Sequence, residues 1–276
     1  MKGDLKMKLK KTAALILAAA MGKTAAAMPV DISVNNNYIK TDTEPRIENG
    51  RVLVPVRAAA NALGCDDVSW RAGTARLCMD DTEIEIAAGS NKALVNGKEV
   101  KLDAAARIVN DRLLVPIRFV GESFGAEVSW DSKTYTVVMQ KDGHSVDMSL
   151  VDTSYTENDL NWLAKIVHAE AQGESDEGKT GVANVVLNRV ESSEFPNTVY
   201  DVVFDRQYGV QFTPIANGAI YNDPARESYA AAKKALKGEN VVGDSLYFCN
   251  PAISTNFWIM NNRAFYKTIG KHDFYL

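Results

Sequence analysis

In the C-terminal half of the chain, hydrophobic residues recur at three- and four-residue spacing, a pattern that predicts amphipathic helices. The clearest run follows Thr156-Glu157-Asn158-Asp159, a Ser/Thr-x-x-acid helix start in which the Thr156 hydroxyl can cap the first backbone N–H groups. The predicted core face of this helix consists of Leu160, Leu163, Ala164, Val167 and Ala171. This face is expected to point into a hydrophobic core.

Two further helices are predicted downstream. Ser175 can cap a helix that runs from about Asp176 to Val190. Asp223-Pro224 is expected to open the next helix, with Asp223 as its N-cap, and Gly238 to end it in the left-handed conformation. The C-terminal part is therefore predicted to be mainly α-helical.

The N-terminal half contains an internal repeat with a period of about 60 residues. Arg51-Val52-Leu53-Val54-Pro55-Val56-Arg57 returns as Arg112-Leu113-Leu114-Val115-Pro116-Ile117-Arg118, and Val68-Ser69-Trp70 returns as Val128-Ser129-Trp130. Each unit predicts a strand, a strand with a Pro, a short helix that ends at Gly64 or Gly125, and a strand pair. Two units are too few for a solenoid, so they are expected to form one pseudo-symmetric module over about residues 29–148. The fold class is α+β, with a polar linker over 149–155.

Glu170 is the candidate catalytic residue. It lies at the margin of the apolar helix face, beside Leu163, and Gly173 interrupts the helix soon afterwards. A carboxyl group sheltered by apolar neighbours has a raised pKa and can hold a proton near neutral pH, as a general acid must. The alternative is an ordinary solvated acid that pairs with a basic neighbour.

The first 27 residues have the pattern of a secretory signal peptide. Lysines precede a short apolar run over 12–21, and Ala25-Ala26-Ala27 offers a cleavage site after Ala27, with Ala20 as the second choice. The apolar run is too short to span a bilayer, and no transmembrane segment is expected. Removal of residues 1–27 takes away six Lys and one Asp, so the formal net charge falls from −4 to −9. An acidic chain argues against nucleic acid and against simple electrostatic adhesion to an anionic wall.

The Cys and His residues favour no metal site and no cofactor. The chain has 3 Cys and 3 His, without the clusters that a transition metal requires. A Cys65–Cys78 disulfide is possible, although the spacing alone does not support it.

The C-terminal part resembles the SleB and CwlJ family of cell wall hydrolases, also known as the spore cortex-lytic enzyme family. The blocks that carry the resemblance are His168-Ala169-Glu170-Ala171-Gln172-Gly173-Glu174, Asn184-Val185-Val186-Leu187-Asn188-Arg189-Val190, Val210-Gln211-Phe212-Thr213, Leu246-Tyr247-Phe248-Cys249-Asn250-Pro251 and Ile269-Gly270-Lys271-His272-Asp273-Phe274-Tyr275. The family usually has Arg at the position of Gln172 and Ser at that of Thr213. The resemblance implies a lysozyme-like or lytic-transglycosylase-like catalytic domain over 156–276.

The same resemblance implies roles for individual residues. It places the catalytic acid at Glu170, and the substrate-binding residues that it implies are Gln211, Phe212, Thr213, Tyr247 and Asn250. Tyr247 offers an apolar face and a hydroxyl to carbohydrate, but core packing in a short strand is an equal alternative. Glu174 is a possible supporting residue, and a structural role such as capping the next helix is the expectation for it.

The repeat module resembles the copper amine oxidase N-terminal-like stalk domain of secreted proteins. Nothing about copper carries over, because no His precedes His144. The module could bind a wall polymer or a protein ligand, and the oligomeric state stays open. Arg57 and Arg118 are either ligand contacts or, as favoured, partners in internal ion pairs.

Ordinary glycoside hydrolysis needs two carboxylates on opposite sides of the scissile bond, and no clear second one is found beside Glu170. The resemblance to lytic transglycosylases implies a one-acid reaction on the glycan strand, between N-acetylmuramic acid and N-acetylglucosamine, that leaves a 1,6-anhydromuramic end. Spore cortex and vegetative peptidoglycan are both candidate substrates. The alternatives are a water-using muramidase or glucosaminidase on the same scaffold and a non-catalytic wall-binding protein. A zinc amidase is disfavoured by the shortage of ligands.

Overall fold

The computed structural model describes residues 28–207, 211–254 and 257–276. The predicted signal peptide, 1–27, lies outside the described residues, and so does Val210 of the third motif block. The elements of the N-terminal part are β1 (Asp31–Val34), β2 (Asn37–Tyr38), β3 (Arg46–Glu48), β4 (Arg51–Pro55), α1 (Val56–Ala62), β5 (Asp67–Arg71), β6 (Thr74–Met79), β7 (Thr82–Ala87), β8 (Lys92–Val95), β9 (Lys98–Lys101), β10 (Arg107–Val109), β11 (Arg112–Pro116), α2 (Ile117–Ser123), β12 (Glu127–Asp131) and β13 (Thr136–Gln140).

The C-terminal part is mainly helical and ends in a small antiparallel sheet with the strand order β14-β16-β15. Its elements are α3 (Glu157–Ala171), α4 (Asp176–Glu191), α5 (Val199–Val203), α6 (Thr213–Asn217), α7 (Arg226–Leu236), β14 (Tyr247–Cys249), α8 (Trp258–Asn262), β15 (Phe265–Ile269) and β16 (His272–Tyr275). The predicted α+β class, β-rich first and helical second, is confirmed.

The two repeats are related by a local twofold axis. Their corresponding strands β4 and β11 pair antiparallel at the centre of the sheet β10-β11-β4-β3. Val54 lies opposite Val115, its own counterpart in the repeat. Equivalent residues that face each other across an antiparallel pair define a twofold axis, so the repeats form one pseudo-symmetric unit. The helices α1 and α2 then end, as predicted, before Gly64 and Gly125, which have φ values of +92° and +77°.

Two outer sheets complete the N-terminal part, and their pairings are long-range. One has the order β5-β6-β7-β8-β9, and the other has the order β12-β13-β1-β2. Strand β1 pairs parallel with β13, with Ile32 opposite Val137. The first strand of the first repeat therefore completes the sheet of the second repeat.

The cysteines and basic residues singled out from the sequence have simple surroundings. Cys65 and Cys78 are free thiols, and the Cys65 Sγ donates to the Cys78 carbonyl at 3.3 Å. Arg118 makes a 3.8 Å exposed pair with Glu122, one turn along α2. Arg57 is exposed and, within the described ranges, forms no ion pair.

The helices α3, α4 and α7 pack against one another. The five residues of the predicted core face of α3 are all buried. Thr156 Oγ1 accepts from the Asp159 N–H at 3.2 Å, and Asp159 Oδ2 accepts from the Thr156 N–H at 2.9 Å, which confirms the predicted helix start. Ser175 caps α4 by accepting from the Gly178 N–H, also as predicted.

The predicted start of α7 is wrong by two residues. Ala225, not Asp223, is the N-cap. The Ala225 N–H donates to His168 Nδ1 at 3.3 Å, a tertiary contact that keeps this segment extended. The Asp223 carboxylate is 89% exposed and pairs with Lys133 at 3.6 Å. The predicted end at Gly238, with φ +94°, is confirmed.

A buried ionic cluster joins the N-terminal part to α7. Asp31 of β1 accepts from Lys233 at 2.6 Å, from Lys237 at 2.7 Å and from the Tyr155 hydroxyl at 2.7 Å. The Lys233 side chain is 0% exposed. Burial opposes ionisation of Asp31, but the two ammonium groups outweigh it and hold the pKa of Asp31 below its ordinary value. The contact between the two parts of the chain therefore depends on the Asp31 carboxylate.

We expect Asp31→Asn to lower the free energy of unfolding by about 3–5 kcal/mol, because it leaves a buried ammonium without its counter-charge. Urea unfolding followed by circular dichroism measures this change. The matched control is Glu99→Gln, which removes the exposed 2.8 Å pair with Lys92 and should cost less than about 1 kcal/mol. Equal effects of the two substitutions would contradict the role assigned to Asp31.

Candidate active site

Glu170 lies in the last turn of α3, just before the junction that leads to α4. Its neighbours Ile166, Val167 and Ala171 are buried, and Glu170 itself is half-buried. Burial raises its pKa to about 7, and no other cause contributes. In the described part of the chain, no basic side chain forms an ion pair with it. Glu170 can therefore carry a proton near neutral pH, as the sequence predicted.

Glu174 connects the junction to the C-terminal sheet. Its Oε2 accepts from the Lys271 N–H at 3.1 Å, in the turn between β15 and β16, and its carbonyl accepts from Lys179 Nζ at 2.5 Å. A Cβ at Gly270, where φ is +59°, would clash with the Glu174 carboxylate. Glu174 therefore holds the hairpin in place, while Ser175 provides the cap of α4.

The predicted substrate residues of the third block lie at the start of α6, which packs against α3. Phe212 is buried, Gln211 is half-buried and Thr213 is exposed. The Phe212 ring lies 6.4 Å from that of Phe248. The block therefore stands between the helix that carries Glu170 and strand β14.

Tyr247 and Asn250 have different surroundings. Tyr247 is buried, and its hydroxyl accepts from Arg263 Nη2 at 2.7 Å. Asn250 is half-buried just after β14, and its Oδ1 accepts from the Ala252 N–H at 3.1 Å. The Asn250 side chain therefore bonds within its own turn, whereas Tyr247 is bonded to Arg263.

The sequence analysis identified the second block only as a motif, and the structure shows what its polar residues do. Asn184 accepts from the Val241 N–H at 3.0 Å and donates to the Glu239 carbonyl at 2.7 Å. Asn188 donates to the carbonyls of Gly243 and Ser245. Two Asn residues four apart on a buried helix face are the signal that could have revealed this role.

Arg189 continues the same face of α4, and the sequence analysis identified it only as part of the second motif block. Its Nε donates to the Leu246 carbonyl at 2.7 Å. Its guanidinium carbon lies 4.8, 5.2 and 5.5 Å from the ring centroids of Phe195, Phe212 and Tyr247. Burial lowers its pKa to about 10. Arg189 thus joins α4 to the aromatic residues on both sides of the site.

Further acids of the C-terminal part that could serve as a second carboxylate are engaged elsewhere. Asp201 accepts from the Thr198 hydroxyl at 2.7 Å and belongs to the cap of α5. Asp205 accepts from the Gln207 N–H, and Asp223 pairs with Lys133.

Two clefts lie away from this site. One is bounded by β1, β2 and the end of α7, and the other lies in the N-terminal part beside Trp70 and Arg57. Neither is lined by a predicted catalytic or substrate residue.

The described residues contain no group of three or more His, Cys, Asp or Glu side chains that could hold a metal. In the same residues, no helix is long and apolar enough to cross a bilayer.

Comparison with known protein families gives two matches. The model described as Copper amine oxidase N-terminal domain matches residues 33–176, and the model described as Cell Wall Hydrolase matches residues 173–275. Glu170 lies three residues before the second matched range.

Curated relatives match the C-terminal part. A spore cortex-lytic enzyme of Bacillus cereus is 40% identical over 124 residues, which cover 45% of this chain and 46% of the relative. The cell wall hydrolase CwlJ of Oceanobacillus iheyensis is 30% identical over 103 residues, 35% of this chain and 72% of the relative. The chain thus spans less than half the length of the Bacillus cereus relative.

Among solved structures, the catalytic domain of the germination-specific lytic transglycosylase SleB from Bacillus anthracis is 40% identical. The match covers 46% of this chain and 100% of that one, with a TM-score of 0.42. The two family models, in contrast, match residues in both halves of the chain, 33–176 and 173–275. This chain belongs to the cell wall hydrolase family through its C-terminal part, and its N-terminal part is a copper amine oxidase N-terminal domain.

Proposed function

We propose that this chain is a secreted enzyme that cleaves the glycan strands of peptidoglycan between N-acetylmuramic acid and N-acetylglucosamine. It acts as a lytic transglycosylase with Glu170 as its single catalytic acid. The observation that carries this proposal is the half-buried Glu170 carboxyl, with its pKa raised to about 7 at the junction of α3 and α4. The names of the relatives, spore cortex-lytic enzyme and lytic transglycosylase, support the same reaction.

In the first step, protonated Glu170 gives its proton to the glycosidic oxygen. The bond between that oxygen and C1 of the muramic unit breaks, and the electron pair leaves with the oxygen. In the second step, the Glu170 carboxylate takes the proton of the muramic C6 hydroxyl, and O6 forms a bond to C1. The products are a free hydroxyl end and a 1,6-anhydromuramic end, and no water is consumed.

The surroundings of the other acids favour this one-acid reaction. A hydrolase of the usual kind places a second carboxylate across the sugar, about 5 Å away for retention and farther for inversion. The nearest acid in sequence, Glu174, is bonded to the Lys271 N–H of the hairpin turn. Glu174 therefore serves as a supporting residue that keeps the hairpin beside the site.

Substrate contacts are assigned to side chains around Glu170. Gln211 and Asn250 are half-buried amides that can donate to and accept from sugar hydroxyl and N-acetyl groups. Thr213 offers an exposed hydroxyl, and Phe212 forms a buried apolar floor. Tyr247 contributes through its ring and through Arg263, to which its hydroxyl is bonded.

Secretion and wall association belong to the same proposal. The composition of residues 1–27 supports export, and the domain over 29–148 serves as a wall-associating stalk whose ligand is a wall polymer or a protein. The catalytic domain covers 156–276, after the segment 149–155. Spore cortex is a candidate substrate because the curated relatives include spore cortex-lytic enzymes.

We expect Glu170→Gln to reduce the release of glycan fragments from peptidoglycan by about 10²-fold or more, because a glutamine cannot deliver the proton. Mass spectrometry of fragments from vegetative and cortex peptidoglycan measures this, and it should show 1,6-anhydromuramic ends with the unsubstituted chain. The matched control is Glu157→Gln, an exposed acid at the start of the same helix, which should retain full activity. Reducing ends would identify a hydrolase, and no release from either substrate would favour a non-catalytic wall-binding protein.

We expect the cleavage rate to fall about tenfold per pH unit above pH 7. The active form is protonated Glu170, and its pKa of about 7 sets the upper limb of the profile. Well below pH 7 the acid is almost fully protonated, so this group then causes no further change in rate. Initial rates of fragment release between pH 5 and 9 on soluble glycan strands provide the measurement. A rate that rises across this range would contradict the assignment of Glu170 as the acid.

A further inference from the structure

Arg263 is enclosed by two aromatic side chains at the edge of the C-terminal sheet. Its guanidinium carbon lies 4.4 Å from the Tyr247 ring centroid and 5.2 Å from that of Trp258. Its Nη2 donates to the Tyr247 hydroxyl at 2.7 Å. Its Nε is buried without a hydrogen-bond partner. These contacts hold the guanidinium in one orientation, which makes Arg263 a preorganised cation.

The charge of Arg263 is not neutralised by the chain. Across residues 28–207, 211–254 and 257–276, no carboxylate lies within 4.0 Å of its nitrogen atoms. A half-buried guanidinium usually pairs with a carboxylate, because that pairing compensates for lost hydration. The Arg263 guanidinium therefore retains a positive charge that an anionic ligand could bind.

The surface next to Arg263 suits a sugar. Trp258 is 49% exposed, and Phe257, which precedes it in the chain, is 57% exposed. An exposed indole ring stacks on the apolar face of a pyranose, while a neighbouring guanidinium binds its substituents. Together these residues match a sugar that carries a carboxylate.

The sheet connects this surface to the catalytic junction. Trp258 lies 6.1 Å from Tyr247 of the edge strand β14, which pairs with β16. Lys271, immediately before β16, donates to Glu174, four residues after Glu170. The same small sheet therefore supports both Arg263 and the hairpin beside Glu170.

We propose that Arg263 and Trp258 form a subsite for the muramic unit of the glycan strand, in which Trp258 stacks on the sugar and Arg263 binds its carboxylate. This inference rests on the proposed function and adds the group that distinguishes muramic acid from glucosamine. Two sources of a carboxylate have the required chemistry: the lactyl ether group of the muramic unit and the stem peptide. The lactyl carboxylate is free only where the stem has been removed.

The test measures binding of the full chain carrying Glu170→Gln, so that strands are not cut. The probes are glycan strands freed of stem peptides by an amidase, and the same strands with their lactyl carboxylates converted to methylamides. We expect the methylamide strands to bind about tenfold more weakly. Adding Arg263→Gln should weaken binding to the charged strands by a similar factor and leave the neutral strands unaffected.

Further variants separate charge from stacking and from folding. Arg263→Lys should recover part of the affinity for charged strands, and Trp258→Ala should weaken both kinds of strand equally. Arg118→Gln, which removes an exposed guanidinium of the N-terminal part, is the matched control. It should change the binding of neither the charged nor the neutral strands. If Arg263→Gln fails to fold, the comparison of the two strands on the Glu170→Gln chain decides the question without it.

The outcomes distinguish this inference from the proposed function. Equal binding of charged and neutral strands together with no effect of Arg263→Gln on binding to intact peptidoglycan, beside normal fragment release by the unsubstituted chain, would overturn the subsite alone. Charge-dependent binding through Arg263 without any fragment release would support the subsite and overturn the enzymatic activity. An effect of Arg263→Gln on binding to intact peptidoglycan but not to stripped strands would support the subsite and assign the carboxylate to the stem peptide.

Discussion

Buried polar side chains must find partners, and on α4 this requirement determines how the C-terminal domain is put together. Asn184 and Asn188 bond to the backbone between 239 and 245, and Arg189 bonds to the Leu246 carbonyl just before β14. A helix thereby fixes the path of a loop more than fifty residues away. Because that loop leads directly into the edge strand, the position of the whole small sheet depends on these hydrogen bonds.

Glu170 and Arg189 show two responses to burial. Arg189 keeps its charge, since a guanidinium remains protonated, and three aromatic rings and a carbonyl compensate for its lost hydration. Glu170 has no such partner among the described residues, and protonation is the way in which it avoids a buried charge. Because no neighbouring group stabilises the charged form of Glu170, its carboxyl group is suited to proton transfer.

The contact between the N-terminal and C-terminal parts also depends on pairing of buried charges. The Asp31 carboxylate is buried between two ammonium groups of α7, and the Tyr155 hydroxyl provides a further donor. This cluster places β1, a strand in the sheet of the second repeat, at the contact between the two parts of the chain. The N-terminal and C-terminal parts are thus joined through α7.

Local chemistry in the sequence was enough to predict the helix that starts at Thr156, the internal repeat and Glu170 as the candidate acid, because capping and periodicity act between neighbouring residues. The start of α7 was wrong because His168 holds the Ala225 N–H, a partner 57 residues away. The hydroxyl that Arg263 binds belongs to Tyr247, 16 residues earlier, on strand β14. Short-range sequence patterns thus sufficed for most of the helices and for a candidate acid, whereas the pairing of buried polar groups depends on tertiary packing, because their partners lie far apart in the chain.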